Sequence, residues 1–426
     1  MSHLLKVDVL CVCYVTVLSL LLHLIPSSSV EAFACFLALP SFLIIPYLFG
    51  KSVIMAFDKF LRKLVPFPSD VISLFIFSWI WGAHLTGTLA GILTLIHLPI
   101  LVKNLSILIL AFSGLTVTYK WLKKEPSENT FKLSVKFPLL ILFITAVAVT
   151  PVLIIKSYQP FPNAFWRSTH MDPLFVQAAY RMLYSGYLEP EIRWPNAVFP
   201  YIMLSLFRVK PLHFLWSAPF ILAIIYAIGL FNLSYILSKK MEIALLCVLF
   251  GMFINAHVGW PGQFILHFKS NQILYAIFPL VLYSIYEKTT RIKSKPIMTF
   301  KEFILLSTTL ALIFILVKKT TTLVPSPDWH YFGASVIYPI SRAFLPFLGI
   351  LLSLYINDRT RRGLFLLVFL YSVIFYFWHA EEALLFILTM LLFVLLCDRI
   401  KNEGRHLWVW ALAFITFIYI YLQWID

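Results

Sequence analysis

The sequence predicts an all-α polytopic membrane protein, and three observations carry that reading. The chain is 61% hydrophobic and only 12% charged, with a mean hydropathy of +0.89, a balance that soluble domains do not have. The apolar residues gather into runs of the length that crosses a bilayer as helix, about 20 residues. The basic residues cluster on alternate connectors between those runs, which is the asymmetry that orients membrane proteins.

In order, the runs are 7–25, 30–49, 70–92, 97–118, 134–156, 213–237, 241–257, 272–286, 303–317, 335–356, 364–378, 382–397 and 407–424. The shorter ones (272–286, 303–317, 364–378) must extend into flanking polar residues to span. The first run, after Lys6, lacks a small-residue cleavage site and reads as a retained span. Most of the 34 Lys and Arg lie in every second connector, at Lys51, Lys59, Lys120, Lys124, Lys239, Lys288, Arg291, Arg359 and Arg399 among others. The parity predicts about 13 spans, with the N-terminus inside and the C-terminus outside. It places the long connection 157–212 outside, along with 259–271, 318–333 and the turn at His379–Glu382. The protein is expected in the plasma membrane as a multi-pass chain.

Residues 1–122 read as an N-terminal four-span unit. A polar cytoplasmic linker follows at 123–133 (it opens KKEPSENTFK), and 134–426 forms the main transmembrane core. The net charge of +15 does not imply nucleic acid, because the basic residues sit between spans. The five Cys lie in or beside apolar runs without metal-ligand spacing. No P-loop, GxGxxG or CxxCH is present, so nucleotide and haem chemistry have no foothold.

The 157–212 connection is the one long stretch that is neither span nor short linker. Asp172-Pro173 carries helix-start signals. Leu174, Phe175, Ala178, Ala179, Met182 and Leu183 then form one apolar stripe opposite Gln177 and Arg181, and Gly186 stops it. A one-sided helix over 173–185 between two spans is expected to lie in the membrane interface. A second apolar piece, 198–207, is too short to span. Asp172 reads either as an N-cap, worth about 1 kcal/mol, or as a carboxylate that takes a proton or binds a metal ion. The two readings are compatible.

The run His170-Met171-Asp172-Pro173-Leu174-Phe175, with Gly186 after the helix, resembles the first external loop of C-type (GT-C) integral-membrane glycosyltransferases. It is most similar to the Asp-Pro-aromatic-Phe motif of oligosaccharyltransferase catalytic subunits. The resemblance covers roughly 134–212. It implies a GT-C-like core with interfacial helices, a polyprenyl-phosphate-linked sugar donor, and Asp172 in the acidic role as catalytic base or as ligand of a divalent cation such as Mg or Mn. Archaeal proteins of this class often add spans ahead of the core. Two departures stand beside it: 259–271 holds no acid, and no Trp-Trp-Asp-Tyr-Gly motif is present. A single-sugar transferase, rather than a peptide-acceptor one, is what the resemblance then implies.

Other residues are candidates for substrate binding. His170 lies in the same motif, and Glu189 and Glu191 are two apart and share a side if extended. His379, Glu381 and Glu382 occupy a minimal turn between apolar runs, where acids need a partner or a cavity. Arg181, Arg193 and Lys269 run against the basic asymmetry and suit a donor phosphate. Each also has a plain reading as solvated turn or headgroup contact. Membrane lipid and a lipid-linked sugar donor are the expected partners. Two further readings stay open: a transporter or flippase of a lipid-linked substrate, and a non-catalytic membrane assembly protein that keeps the fold.

Overall fold

The computed structural model describes residues 3–25, 31–56, 70–123, 136–158, 172–188, 194–257, 268, 270–293, 296–322 and 327–403, and these are helical with no strand. The helices are α1 (His3–Leu24), α2 (Glu31–Ala38), α3 (Ser41–Ala56), α4 (Val71–Leu95), α5 (Pro99–Lys103), α6 (Leu105–Leu122), α7 (Lys136–Tyr158) and α8 (Asp172–Tyr184). They continue with α9 (Trp194–Phe207), α10 (Pro211–Ser238), α11 (Met241–His257), α12 (Ser270–Thr290), α13 (Phe300–Thr322), α14 (Pro327–Ser353), α15 (Arg359–Trp378) and α16 (Ala380–Glu403).

Where they are described, the predicted apolar runs up to 382–397 fall on helices, with 30–49 divided between α2 and α3 and 97–118 between α5 and α6; the run 407–424 lies outside the described residues. Among the described residues, seven helical segments are long and apolar enough to cross a membrane: α1, α2 with α3, α4, α6, α10, α13 and α15. The surface agrees with an apolar solvent. Leu10, Ile100, Leu115, Leu142, Leu316 and Phe344 are all exposed, whereas a water-soluble monomer rarely shows such a continuous apolar face.

The core is built around α4, which packs on α3, α9, α12, α14 and α15. Small residues set the closest crossing. A Cβ on Gly50 would lie 1.9 Å from Ser78 O, and one on Gly82 would lie 1.9 Å from Pro46 O. This is how helices approach when lipid supplies no hydrophobic drive between them. The N-terminal helices share their interior with the later ones, since α2 packs on α10, and α1, α2, α3, α4 and α6 all touch α9. Between α1 and α3 lies a buried ion pair: Lys51 Nζ is 2.5 Å from Asp8 Oδ2, and Tyr47 donates to Asp8 Oδ1 at 2.9 Å.

Helix starts follow their sequence signals. Asp70 Oδ1 accepts from Ser73 N at 2.8 Å at the start of α4, and Asp358 accepts from Thr360 N and Arg361 N at the start of α15. Thr299 and Glu302 satisfy each other's backbone N–H before α13, a reciprocal capping box.

Among its described residues, the long connection forms two helices. The stripe expected over 173–185 is α8, with Phe175, Ala178, Ala179 and Met182 buried and Gln177 and Arg181 exposed. Leu174 departs from the expectation: it is 43% exposed, because the buried arc centres on Ala178 and Met182 and the first turn overhangs it. Gly186 ends α8 with φ +70, and a Cβ there would sit 2.3 Å from Pro99 O. The left-handed backbone and the close approach both select glycine.

The second piece, an apolar stretch too short to span, packs inside the bundle. Helix α9 is buried along nearly its full length among α1–α4, α6 and α10. Leu188 N–H bonds Thr94 Oγ1 at the end of α4, whereas the Trp194 ring sits on Gly87, two turns further along. At 1.5 Å per residue that is about 10 Å deeper. Helix α9 then returns to the level of α8, where Ser19 donates to Leu206 O and Tyr201 donates to Val102 O and Lys103 O. Helix α9 therefore starts partway along α4, inside the bundle, and runs back among the other helices.

Candidate functional site

Two helices meet at His379. Helix α15 ends at Trp378, His379 takes an extended backbone (φ −159, ψ 97), and α16 begins at the next residue. Because only one residue separates the helices, His379 and Glu382 face each other across the junction. His379 Nδ1 pairs with Glu382 Oε2, and His379 is only 7% exposed. The other carboxylate oxygen accepts from Asn271 Nδ2 at 3.1 Å. Asn271 is itself fixed, its Oδ1 accepting from Gln272 N at 2.9 Å at the start of α12. The sequence singled out His379 and Glu382, and the structure brings them together and adds Asn271.

Several buried polar atoms near this junction have no hydrogen-bond partner: Ser270 Oγ and Gln272 Oε1 beside Asn271, and Trp378 Nε1 beside His379. Trp194 Nε1 and Asn196 Oδ1, at the deep end of α9, are in the same condition. Such groups are rare in folded proteins, and each asks for a water, an ion or a ligand. Aromatic walls complete the setting. Trp194 meets Trp378 edge to plane with centroids 5.3 Å apart, Trp79 meets Trp378 at 5.8 Å, and Trp79 stacks on Phe199 at 6.0 Å.

On the neighbouring side of α15, the Arg342 guanidinium lies 5.8 Å from the centre of the Phe377 ring. His84, fully buried on α4, has Nε2 3.2 Å from Arg342 O, and its Nδ1 has no partner. An arginine within an apolar helix is costly and points to function. Sequence reasoning missed Arg342, which lies inside the apolar run 335–356. It also missed Asn271 and Gln272, whose signal was polarity at the edge of an apolar run.

The remaining candidates separate. Asp172 is the first residue of α8, and its side chain lies outside the described residues, as does that of Glu381 at the start of α16. His170, Glu189, Glu191, Arg193 and Lys269 also lie outside them. Arg181 is exposed on α8, and its carbonyl accepts the closing bonds from Ser185 N and Gly186 N. Among the described residues no three His, Cys, Asp or Glu gather as a cation site. Comparison of the chain with family models, with curated proteins and with solved structures finds no match.

Proposed function

We propose that the chain is a 13-span membrane protein with its N-terminus in the cytoplasm, and that it transfers a sugar from a polyprenyl-phosphate-linked donor on the outer face. One observation carries the reading. Between α7 and α10 lie a one-sided helix that starts at Asp172 and a buried helix whose first residue, Trp194, touches Trp378 beside the His379–Glu382–Asn271 cluster. A carboxylate at a helix start, an aromatic wall and a fixed carboxylate–amide pair suit a hydroxylated ring.

In this reading Asp172 takes the proton of the acceptor hydroxyl. The oxygen attacks the anomeric carbon, the bond from that carbon to the phosphate oxygen breaks, and polyprenyl phosphate leaves. Glu382 and Asn271 hold sugar hydroxyls, and Arg342 offers positive charge within the bundle.

The test is transfer in isolated membranes from a radiolabelled polyprenyl-phosphate monosaccharide. Asp172→Asn keeps a good cap and removes the charge. It is expected to lower transfer by about 100-fold or more, the scale of a lost general base. Full activity of a normally inserted Asn variant returns Asp172 to a capping role. A flippase reading draws on Arg342 and His84 inside the bundle. It predicts donor translocation that survives Asp172→Asn and fails in Arg342→Gln.

A further inference from the structure

Three helices begin at one place inside the bundle. Helix α9 starts at Trp194, whose ring lies against Trp378, and α16 starts at Ala380, just past Trp378. Helix α12 starts at Ser270, and the next residue, Asn271, donates to Glu382 in the first turn of α16 at 3.1 Å. The contacts close into a circuit, because Phe268, just ahead of α12, packs on Phe199 at 6.1 Å and Phe199 packs on Trp194 at 6.0 Å. Each of these helices has 14 residues or more, and a helix of that length carries partial positive charge at its N-terminus.

That convergence alone does not call for a ligand, but the side chains around it do. Trp194 Nε1, Trp378 Nε1 and Ser270 Oγ have no hydrogen-bond partner, and their residues are 0%, 0% and 1% exposed. The transferase reading uses Glu382 and Asn271 and leaves these three groups idle. Two of them are N–H groups that can only donate, and the hydroxyl can donate as well. An indole N–H has no lone pair to offer a cation. Donors at the meeting of three helix N-termini select an acceptor with negative charge. Two amide oxygens in the same first turns, Gln272 Oε1 and Asn196 Oδ1, are also unpartnered, and either amide presents N–H instead after a half-turn about its last bond.

Charge and size narrow the class. Glu382 already gives both its oxygens to donors, one to His379 and one to Asn271. Among the described residues no Lys or Arg is bonded to the three idle donors. A doubly charged phosphate has no cation to balance it there, and an unbalanced buried charge of that size is costly. Chloride carries one charge on one atom and accepts several N–H and O–H bonds at once. We propose that a chloride ion binds where α9, α12 and α16 begin, held by the indole N–H groups of Trp194 and Trp378 and by the hydroxyl of Ser270. The ion supplies the negative charge that lets three positive helix ends meet away from water, and it ties α9 to the α15–α16 junction. The inference does not depend on the transferase reading, since its test reads ion binding and not transfer.

The experiment uses the full-length protein in detergent, dialysed to equilibrium against radiolabelled chloride in sodium gluconate of constant ionic strength. Saturable retention approaching a single ion per chain is expected, displaced by bromide and not by further gluconate. Thermal melts are expected to rise when chloride replaces gluconate. Trp378→Phe keeps the ring and removes the N–H, and Ser270→Ala removes the hydroxyl. Each is expected to weaken chloride binding about tenfold or more, the scale of a lost hydrogen bond to a charged group. Ser270→Ala alone serves if the Trp378 variant does not fold. Absence of saturable retention, with equal melting in chloride and gluconate, would mean that water fills the junction and overturns the proposal. Affinity unchanged in the variants overturns it as well. Displacement by inorganic phosphate more effective than by bromide at the same concentration reassigns the donors to an oxyanion, against the proposal.

Discussion

Trp194 and Trp378 meet edge to plane at 5.3 Å, and that contact ties the buried helix α9 to the junction between α15 and α16. Trp194 reaches this position because Gly87 has no side chain; a Cβ there would lie 2.3 Å from its ring. The atom it meets belongs to a fully buried indole packed on three sides, not to a flexible tip. Gly87→Ala is therefore expected to displace Trp194 and to destabilise the protein by about 1–3 kcal/mol, the scale of an overpacked core. Thermal melts in detergent read the loss, and a changed tryptophan emission reports the displacement. Unchanged melting and emission would show that α9 does not sit against α4.

Glu382 holds two partners at once, His379 through one oxygen and Asn271 through the other. Glu382→Ala is expected to cost about 1–3 kcal/mol, because it leaves a buried imidazole and a buried amide without their acceptor. Glu382→Gln keeps an oxygen for Asn271 and loses only the charge, so it is expected to melt closer to wild type. If Ala and Gln variants melt alike at wild-type temperature, the cluster is not a structural unit.

The apolar helices were legible because lipid imposes one rule on any segment that crosses it: an apolar helix of a given length. The helix over 172–184 was legible for a local reason, since its stripe and its stop at Gly186 repeat what dihedral sterics demand. The burial of α9 inside the bundle was not. Buried in protein, the apolar stretch 198–207 reads the same as it would on a surface, and what pulls it inward is the space above Gly87, a contact distant in sequence. His379 and Glu382 are three apart, so their meeting follows from helix geometry once the turn is short. Asn271 comes from another hairpin, and no local pattern announces it.

The same limit hid the Asp8–Lys51 pair. Counting basic residues assigns Lys51 to a connector, yet it is 8% exposed and bonded to both Asp8 and Tyr47. Removing one partner strands a buried charge, so Asp8→Ala is expected to destabilise by about 3–5 kcal/mol. The double variant Asp8→Leu with Lys51→Met is expected to recover most of that loss. The measurement is a double-mutant cycle of unfolding in detergent. Additive losses would show that the two side chains do not depend on each other.

Lys288 lends stability a pH dependence of definite sign. Burial first, then Arg291 and Arg359, lowers it from 10.5 to about 8, while Glu287 and Asp70 line a small recess beside it. Below pH 8 both the folded and unfolded forms carry the proton, and the cost of burying the charge is felt in full. Between about pH 8 and 10.5 the unfolded chain binds more protons than the folded one, so stability rises with pH. The shift corresponds to a gain on the order of 3 kcal/mol. Chemical unfolding in detergent at pH 7, 8, 9 and 10 is expected to show this rise in wild type but not in Lys288→Met. A flat difference between the two across that range contradicts the buried, depressed lysine.

The topology underlying the proposed function has its own test. Basic connectors alternate with nearly neutral ones along the whole chain, and the alternation assigns Ser168 to the outside and Lys123 to the cytoplasm. The five native cysteines are free and form no disulfide, so replacing them by Ser or Ala breaks no covalent link. In that background Ser168→Cys is expected to react with a membrane-impermeant maleimide in intact cells. Lys123→Cys is expected to react only after permeabilisation. Each variant is the other's control for access, because both sit in polar connectors rather than in spans. The reverse pattern would turn the protein over and bring Asp172 to the cytoplasmic side, where a nucleotide-activated donor would replace the polyprenyl-linked one. Labelling of both sites in intact cells would mean that the number of spans between them is even, and the run 134–156, which is α7, would then not cross.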